Sequence, residues 1–151
     1  MRTDTVNIND RVRENTPEEE NVRMDTKVLN RMTRYRNYTI DEINKRLDKL
    51  QKAWDIERTL EVNASSLALT GIVLGVFSSK KWFFLPFLVT GFLLQHGIQG
   101  WCPPVTLFRS LGVRTRQEID EEIYALKALR GDFDDIRSTT EPEEIMESFR
   151  K

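Results

Sequence analysis

The sequence predicts an all-α membrane protein, built as a two-helix transmembrane hairpin flanked by amphipathic cytoplasmic helices. The first observation is charge segregation: charged residues make up 31% of the 151-residue chain, yet residues 64–101 contain only Lys80 and Lys81. The second is a pair of apolar runs, 60–77 and 82–101, which as helices would span about 27 and 30 Å, one bilayer core each. The third is a helix-start pattern on either side of these runs, without a comparable strand pattern.

Residues 1–38 form a polar N-terminal arm, for which we expect disorder up to about residue 24 and a basic stretch after it. Residues 1–24 include "TPEEE" and few aliphatic side chains, so they bury too little surface to offset their ordering entropy. The basic stretch "KVLNRMTRYRNY" at 27–38 fits an anionic lipid surface, or equally well a solvated linker or a frayed helix. The N-terminus has no apolar segment, so we expect no cleavable signal peptide.

An amphipathic helix is predicted over residues 39–59. Thr39 and Glu42 fit a capping box at its start. One apolar stripe follows at spacings of four, three and four: Ile43, Leu47, Leu50 and Trp54. The opposite face mixes both charge signs and the net charge of the chain is −1, so we expect no nucleic-acid partner.

The two apolar runs are joined only by "SSKK" at 78–81, which leaves room for an antiparallel hairpin. Trp82 and Trp101 bracket the second run, as is typical of aromatic residues at a membrane interface. Pro103 and Pro104 cannot continue a helix, so we expect the second span to end near Trp101. The alternative, two buried core helices of a soluble protein, is disfavoured because the rest of the chain is too polar to cover them.

A stripe of small residues follows one face of the first span, at spacings of four and three. Its members are Ala64, Ala68, Gly71, Gly75 and Ser78. In lipid, small residues let two helix backbones approach closely and gain dispersion contacts. The stripe therefore packs either against the second helix of the hairpin or against a second copy of the chain. By a narrow margin we expect a homodimer through Ala68, Gly71 and Gly75.

Polar residues gather where both spans meet the membrane surface, since the two ends of an antiparallel hairpin share one level. They are Glu61, Gln95, His96 and Gln99. Polar groups near the surface cost less free energy than at the midplane, so we interpret them as a structural polar collar. A metal or thiol site of His96 and Cys102 is the alternative, but two ligands are too few for a closed zinc site. We predict no metal, no cofactor and no catalytic residue, and Cys102 as a structural thiol.

Residues 102–151 are predicted to form a cytoplasmic helical arm. The stretch after Trp101 suggests a loop with a short apolar element at 105–111. Thr115 and Glu118 fit a second capping box, and Gly131 suits the C′ position that ends the following helix. A last short helix is expected near 143–149.

Motifs around the hairpin resemble a known family. Glu57-Arg58 precedes the first apolar run, and "GWCPPVTLFRSLGVRT" follows the second. The motif residues are Gly100, Trp101, Cys102, Pro103, Leu111, Gly112 and Thr115. Over residues 55–116 the chain resembles the YgaP-like family of small bacterial inner-membrane domains, whose function is unknown. The resemblance implies an inner-membrane hairpin and a dimer. Some relatives join it to a rhodanese domain, whose sequence is not found here, so sulfurtransferase activity is not implied.

Basic residues are concentrated on the terminal side of the hairpin, where eight lie near the spans. They are Lys45, Arg46, Lys49, Lys52, Arg58, Arg109, Arg114 and Arg116. The connecting turn contains only Lys80 and Lys81. The positive-inside rule therefore places both termini in the cytoplasm.

These observations lead to one hypothesis and two alternatives about function. The first is a non-enzymatic anchor or protein-interaction module of the bacterial inner membrane, homodimeric and with protein partners bound by its cytoplasmic arms. The alternatives are a thiol-dependent sulfur or redox accessory protein using Cys102, and a small structural subunit of a larger membrane complex. No Walker, glycine-rich nucleotide, serine-hydrolase or HExxH sequence is found in the chain, so no enzyme class is predicted.

Overall fold

A computed structural model describes residues 10–134 and 141–145, and the elements within these ranges are helices, which confirms the all-α class. They are α1 (Arg11–Glu14), α2 (Glu18–Tyr35), α3 (Ile40–Gln51), α4 (Ile56–Phe77), a 3₁₀ helix (Lys80–Phe83), α5 (Phe84–Gln99), α6 (Pro103–Ser110) and α7 (Arg116–Arg130). Residues 142–145 add a helical turn. Residues 146–151, which include most of the expected last helix, lie outside the described part of the chain.

The described chain divides into two compact units. The first, which we call the hairpin unit, contains residues 10–25 and 54–117. The second, the arm unit, contains 26–53 and the described residues after 117. Each unit has a hydrophobic cluster of its own.

The hairpin unit is organised around α4 and α5, which run antiparallel. At one end, Glu57 in the first turn of α4 meets His96 in the last turn of α5. At the other end, Gly75 of α4 lies against Phe83. Helix α5 ends at Gln99, two residues before the expected Trp101, because Gly100 takes the left-handed conformation (φ 72°) that stops a helix.

The small-residue stripe packs inside the hairpin at its two glycines. Gly71 and Gly75 are buried, and a Cβ added at Gly71 would overlap the Cδ of Pro86. At Gly75 it would lie 3.0 Å from the ring of Phe83. The expectation that these glycines form a homodimer interface is therefore wrong, because Pro86 of α5 and Phe83 of the 3₁₀ helix already cover them. Of the other stripe members, Ala64 and Ala68 are half-buried and Ser78 is exposed.

The N-terminal arm is helical where we expected disorder, so that expectation is wrong for α1 and for the first part of α2, up to about residue 24. Asp10 caps α1, since its Oδ1 accepts a hydrogen bond from the backbone N–H of Arg13 at 2.9 Å. Helix α2 begins with three glutamates, which interact favourably with the positive end of the helix dipole. Val12 and Met24 are buried, so even a polar segment supplies apolar anchors. Residues 1–9 lie outside the described ranges.

The predicted helix 39–59 is two helices. The capping box is confirmed: Thr39 Oγ1 accepts from the Glu42 N–H at 3.4 Å, and Glu42 Oε2 accepts from the Thr39 N–H at 2.9 Å. Helix α3 nevertheless ends at Gln51, and α4 begins anew at Ile56. Asp55 causes the restart, because its side chain accepts a hydrogen bond from the Arg58 N–H at 2.8 Å and so acts as an N-cap.

The segment after Cys102 is a helix, α6, rather than the predicted loop. Pro103 and Pro104 stand in its first turn, where a helix uses no intrahelical N–H and a fixed φ is favourable. The prolines therefore start a helix as well as preventing α5 from continuing. Gly112, with φ 88°, turns the chain after α6.

The arm unit is built on the apolar stripe of α3 and the apolar side of α7. Its buried cluster contains Ile43, Leu47, Leu50, Ile119, Ile123 and Leu126. Trp54, which we placed on the same stripe, instead lies in the hairpin unit, with the Arg58 guanidinium 4.6 Å from the centre of its ring. Helix α7 starts directly after Thr115 and is followed by Gly131 with φ 90°, as predicted.

Glu122 is a buried charge in the arm unit, with a fully covered side chain. Arg46 donates to its Oε1 from Nε at 3.0 Å and from Nη2 at 2.7 Å. Arg31 Nη2 donates to its Oε2 at 3.2 Å. One carboxylate on α7 therefore ties α2 and α3 together.

Replacing Gly71 by alanine should destabilise the hairpin by about 1–3 kcal/mol, because the added methyl group overlaps Pro86. The control is Gly91→Ala, which meets no atom within 4 Å and should be neutral or stabilising by up to about 1 kcal/mol. Thermal unfolding in detergent, followed by circular dichroism, compares the two. A melting temperature for Gly71→Ala equal to that of Gly91→Ala would contradict the close packing.

Glu122→Ala should destabilise the chain by about 3–5 kcal/mol, because it leaves two arginines around a buried position without their shared carboxylate. Asp48→Ala removes an exposed pair with Lys52 and should cost less than about 1 kcal/mol. Urea unfolding in detergent measures both. Equal losses for the two variants would show that the buried network contributes no more than a surface pair.

Candidate functional site

A polar pocket of about 200 Å³ lies in the hairpin unit, where α4 begins and α5 ends; we call it the base pocket. Asp10 and Arg11 come to it from the start of α1, Glu57 from α4 and His96 from α5. Arg116 joins them from the first turn of α7. Two carboxylates, two guanidinium groups and one imidazole thus surround a space equal to roughly seven water molecules.

The central interaction is the pair of His96 and Glu57. His96 Nε2 lies 2.7 Å from Glu57 Oε2, and His96 is only 6% exposed. A carboxylate can only accept, so the hydrogen bond with Glu57 places a proton on His96 Nε2. The other ring nitrogen, Nδ1, is buried and has no hydrogen-bond partner among the described residues.

Helix α1 closes the end of α5. Arg11 Nη1 donates to the carbonyl oxygens of Gly97 at 3.0 Å and Ile98 at 3.4 Å. Asn15 Nδ2 donates to the carbonyl of Gln99 at 3.2 Å. The last carbonyls of a helix have no partners within the helix, and a cation there also meets the negative end of the helix dipole. The N-terminal segment therefore stabilises the end of α5.

Gly100 is required at this junction for two reasons. Its φ of 72° is strained for a residue with a side chain. A Cβ at this position would also lie 2.5 Å from the Cβ of Arg11. The motif glycine thus lets α1 contact the chain directly after α5.

Cys102 is buried next to this junction, at 2% exposure. It packs with Val12, Ile56, Leu60 and Val105. Burial raises the pKa of the Cys102 thiol, and the charge of Glu57 adds to this, while the Val105 N–H acts in the opposite direction. A thiol with a raised pKa is mostly protonated at neutral pH and is a poor nucleophile. This supports the interpretation of Cys102 as a structural thiol.

Arg109 on α6 is a buried cation that the sequence analysis missed. It is 1% exposed and donates to Thr16 Oγ1 and Asn21 Oδ1 at 3.0 Å each, and to the Val113 carbonyl at 3.2 Å. We had counted it only as a charge near the membrane. It instead holds the N-terminal segment against α6.

Of the predicted polar collar, only His96 lines the base pocket. Gln95 and Gln99 form a side-chain hydrogen bond of 3.4 Å along α5, and Glu61 is exposed on α4. The carboxylate that meets His96 is Glu57, one turn before Glu61. Within residues 10–134 and 141–145, no group of three or more His, Cys, Asp or Glu side chains is arranged to hold a metal ion.

Comparisons with known proteins give no relative: no family model, no curated protein and no solved structure matches the chain. The resemblance to the YgaP-like family has no support from these comparisons and stays a prediction.

Cys102 should react slowly with iodoacetamide at neutral pH, and its rate should rise only above the range of an ordinary thiol, because burial raises its pKa. The control is a Cys102→Ala chain with Thr106→Cys, which places a thiol on an exposed position of the same helix. We expect it to react roughly tenfold faster at pH 7. Thiolate reactivity of Cys102 below neutral pH would instead favour the sulfur-chemistry hypothesis.

Proposed function

We propose that this protein is an integral membrane anchor of the bacterial inner membrane, with α4 and α5 as its two spans and the arm unit as a cytoplasmic interaction module. The observation that carries the proposal is the apolar surface of the hairpin, which faces outward. Two core helices of a soluble protein would hide that surface from water.

Helix α4 supports the first span. Among the described residues, one helical run is long and apolar enough to cross a membrane, and it ends at Phe77. The most apolar 18 residues of this run have a mean hydropathy of 1.6, and only 17% of them are buried. Its outward side chains include Leu67, Leu69, Ile72, Val73, Val76 and Phe77. A contiguous apolar face of this kind marks contact with lipid or another protein.

Helix α5 supports the second span less directly. It has 16 residues, about 24 Å, and the preceding 3₁₀ helix adds about 8 Å, which together approach the thickness of a bilayer core. Its exposed apolar side chains include Phe84, Phe87, Leu88, Leu93, Leu94 and Ile98. The Trp82 at its start suits the interface opposite the base pocket.

The hydroxyl groups within the hairpin also suit a lipid environment. Ser66, Thr70 and Thr90 each donate to the carbonyl four residues earlier, at 2.7 Å. A hydroxyl that hydrogen-bonds to its own helix leaves no unpaired donor in hydrocarbon. These polar residues are therefore compatible with a lipid-facing helix.

Charge at the two ends of the hairpin supports cytoplasmic termini. Arg58, Arg114 and Arg116 stand at the base, against Lys80 and Lys81 in the turn. The arm unit exposes apolar side chains on its three helices, such as Leu29, Ile40 and Leu129, which suits protein partners. A homodimer stays a prediction, and co-purifying proteins would favour the structural-subunit alternative.

Two single-cysteine chains in a Cys102→Ala background test the topology. In sealed right-side-out vesicles, a membrane-impermeant maleimide should label Ser79→Cys in the turn and leave Thr106→Cys on α6 unlabelled. Both should label after the vesicles are opened with detergent. Labelling of Thr106→Cys alone in intact vesicles would show the opposite orientation. Equal labelling of both cysteines in intact vesicles would exclude a two-span hairpin.

A further inference from the structure

We propose that the base pocket binds the phosphoethanolamine headgroup of a membrane lipid. This inference rests on the proposed function, because a hairpin that spans the membrane places its helix ends, and hence the pocket, at the headgroup level. The pocket is formed by the first turn of α4 and the last turn of α5. A lipid beside the hairpin reaches this level without leaving the bilayer.

The charges around the pocket fit a zwitterion. Asp10 and Glu57 balance Arg11 and Arg116, so a purely anionic ligand would meet two carboxylates and a purely cationic ligand two guanidinium groups. A headgroup with one phosphate and one ammonium finds an opposite charge for each.

The hydrogen-bonding atoms still available on each side chain indicate which residue binds the ammonium and which binds the phosphate. Both Asp10 oxygens are already engaged, by the Arg13 N–H and by the Thr115 hydroxyl at 2.5 Å. Glu57 uses Oε2 for His96 and stays half exposed, so its Oε1 suits the ammonium. Arg11 uses Nη1 for the α5 carbonyls, and a guanidinium has five N–H donors, so Arg11 also has donors for the phosphate. Arg116 lines the pocket as a second positive charge.

Glu57 distinguishes ethanolamine from choline. A primary ammonium donates charge-assisted hydrogen bonds to a carboxylate, and Glu57 Oε2 already meets His96, so Oε1 is the oxygen for the ligand. A quaternary choline has no N–H and donates none. The volume of about 200 Å³ suits a headgroup and is below the usual size of a drug-like ligand site.

The test measures which lipids the purified full-length chain retains. The chain is relipidated with an equimolar mixture of phosphatidylethanolamine, phosphatidylglycerol and phosphatidylcholine, and retained lipids are counted by native mass spectrometry. We expect roughly tenfold enrichment of phosphatidylethanolamine over phosphatidylcholine. Glu57→Gln should abolish the enrichment, while Glu61→Gln, one turn later and exposed on the same helix, should keep it.

A second variant keeps the proposal testable if Glu57→Gln does not fold. Arg116→Gln removes a pocket cation on the phosphate side and should also lower the enrichment, whereas Arg114→Gln, which does not line the pocket, should not. Equal retention of the three lipids, a preference for phosphatidylglycerol, or unchanged enrichment in both pocket variants would overturn the proposal.

Alkaline extraction of the same membranes separates this inference from the proposed function. If the chain stays in the membrane but shows no headgroup preference, the lipid site fails and the anchor stands. If alkali releases the chain, the anchor fails. Calorimetry with soluble phosphoethanolamine then tests whether the pocket binds the headgroup. Binding that Glu57→Gln abolishes would support the lipid site, and absence of binding would overturn it.

Discussion

The end of α5 is the constraint on which the hairpin unit depends. An apolar helix that stops here leaves its last carbonyls without intrahelical partners, and the chain supplies those partners from far away in the sequence. Arg11 and Asn15 donate to the carbonyls of residues 97–99, and Gly100 makes the close approach of α1 possible. Val12 follows them into the apolar cluster around Cys102. The buried thiol, the pocket and the restart of the chain as α6 all follow from this closure.

Charge has two separate uses in the molecule. At the base of the hairpin, charged groups line the base pocket. There the pair of His96 and Glu57 joins α5 to α4 at their polar ends. In the arm unit, Glu122 has no exposed side-chain surface and is compensated by Arg31 and Arg46. A buried charge with two partners fixes which helix faces meet, because any other alignment would leave it unpaired.

Sequence patterns that depend only on neighbouring residues predicted the structure better than patterns that depend on distant contacts. The capping box of Thr39 and Glu42 and the stop at Gly131 depend on neighbouring residues, and both are present in the structure. The two apolar runs likewise gave the helices of the hairpin. The small-residue stripe showed a close helix contact but not its partner, because glycine spacing is the same for a contact within a chain or between chains. Arg109 and Glu122 could not be recognised as buried, because their partners lie up to 93 residues away in sequence. The same reason explains why α1 was missed: its contacts, rather than its composition, order it.

The docking of α1 onto α5 also sets an order for biosynthesis. Arg11 and Asn15 leave the ribosome early, but the carbonyls they bind lie 84 to 87 residues later in the chain, and the Arg109 contact to Thr16 spans 93. The N-terminal segment therefore lacks its native partners on α5 until α5 has been synthesised and has folded. Contacts between such distant residues form late, since a long loop must close first. Completion of the hairpin is thus the event that lets α1 dock.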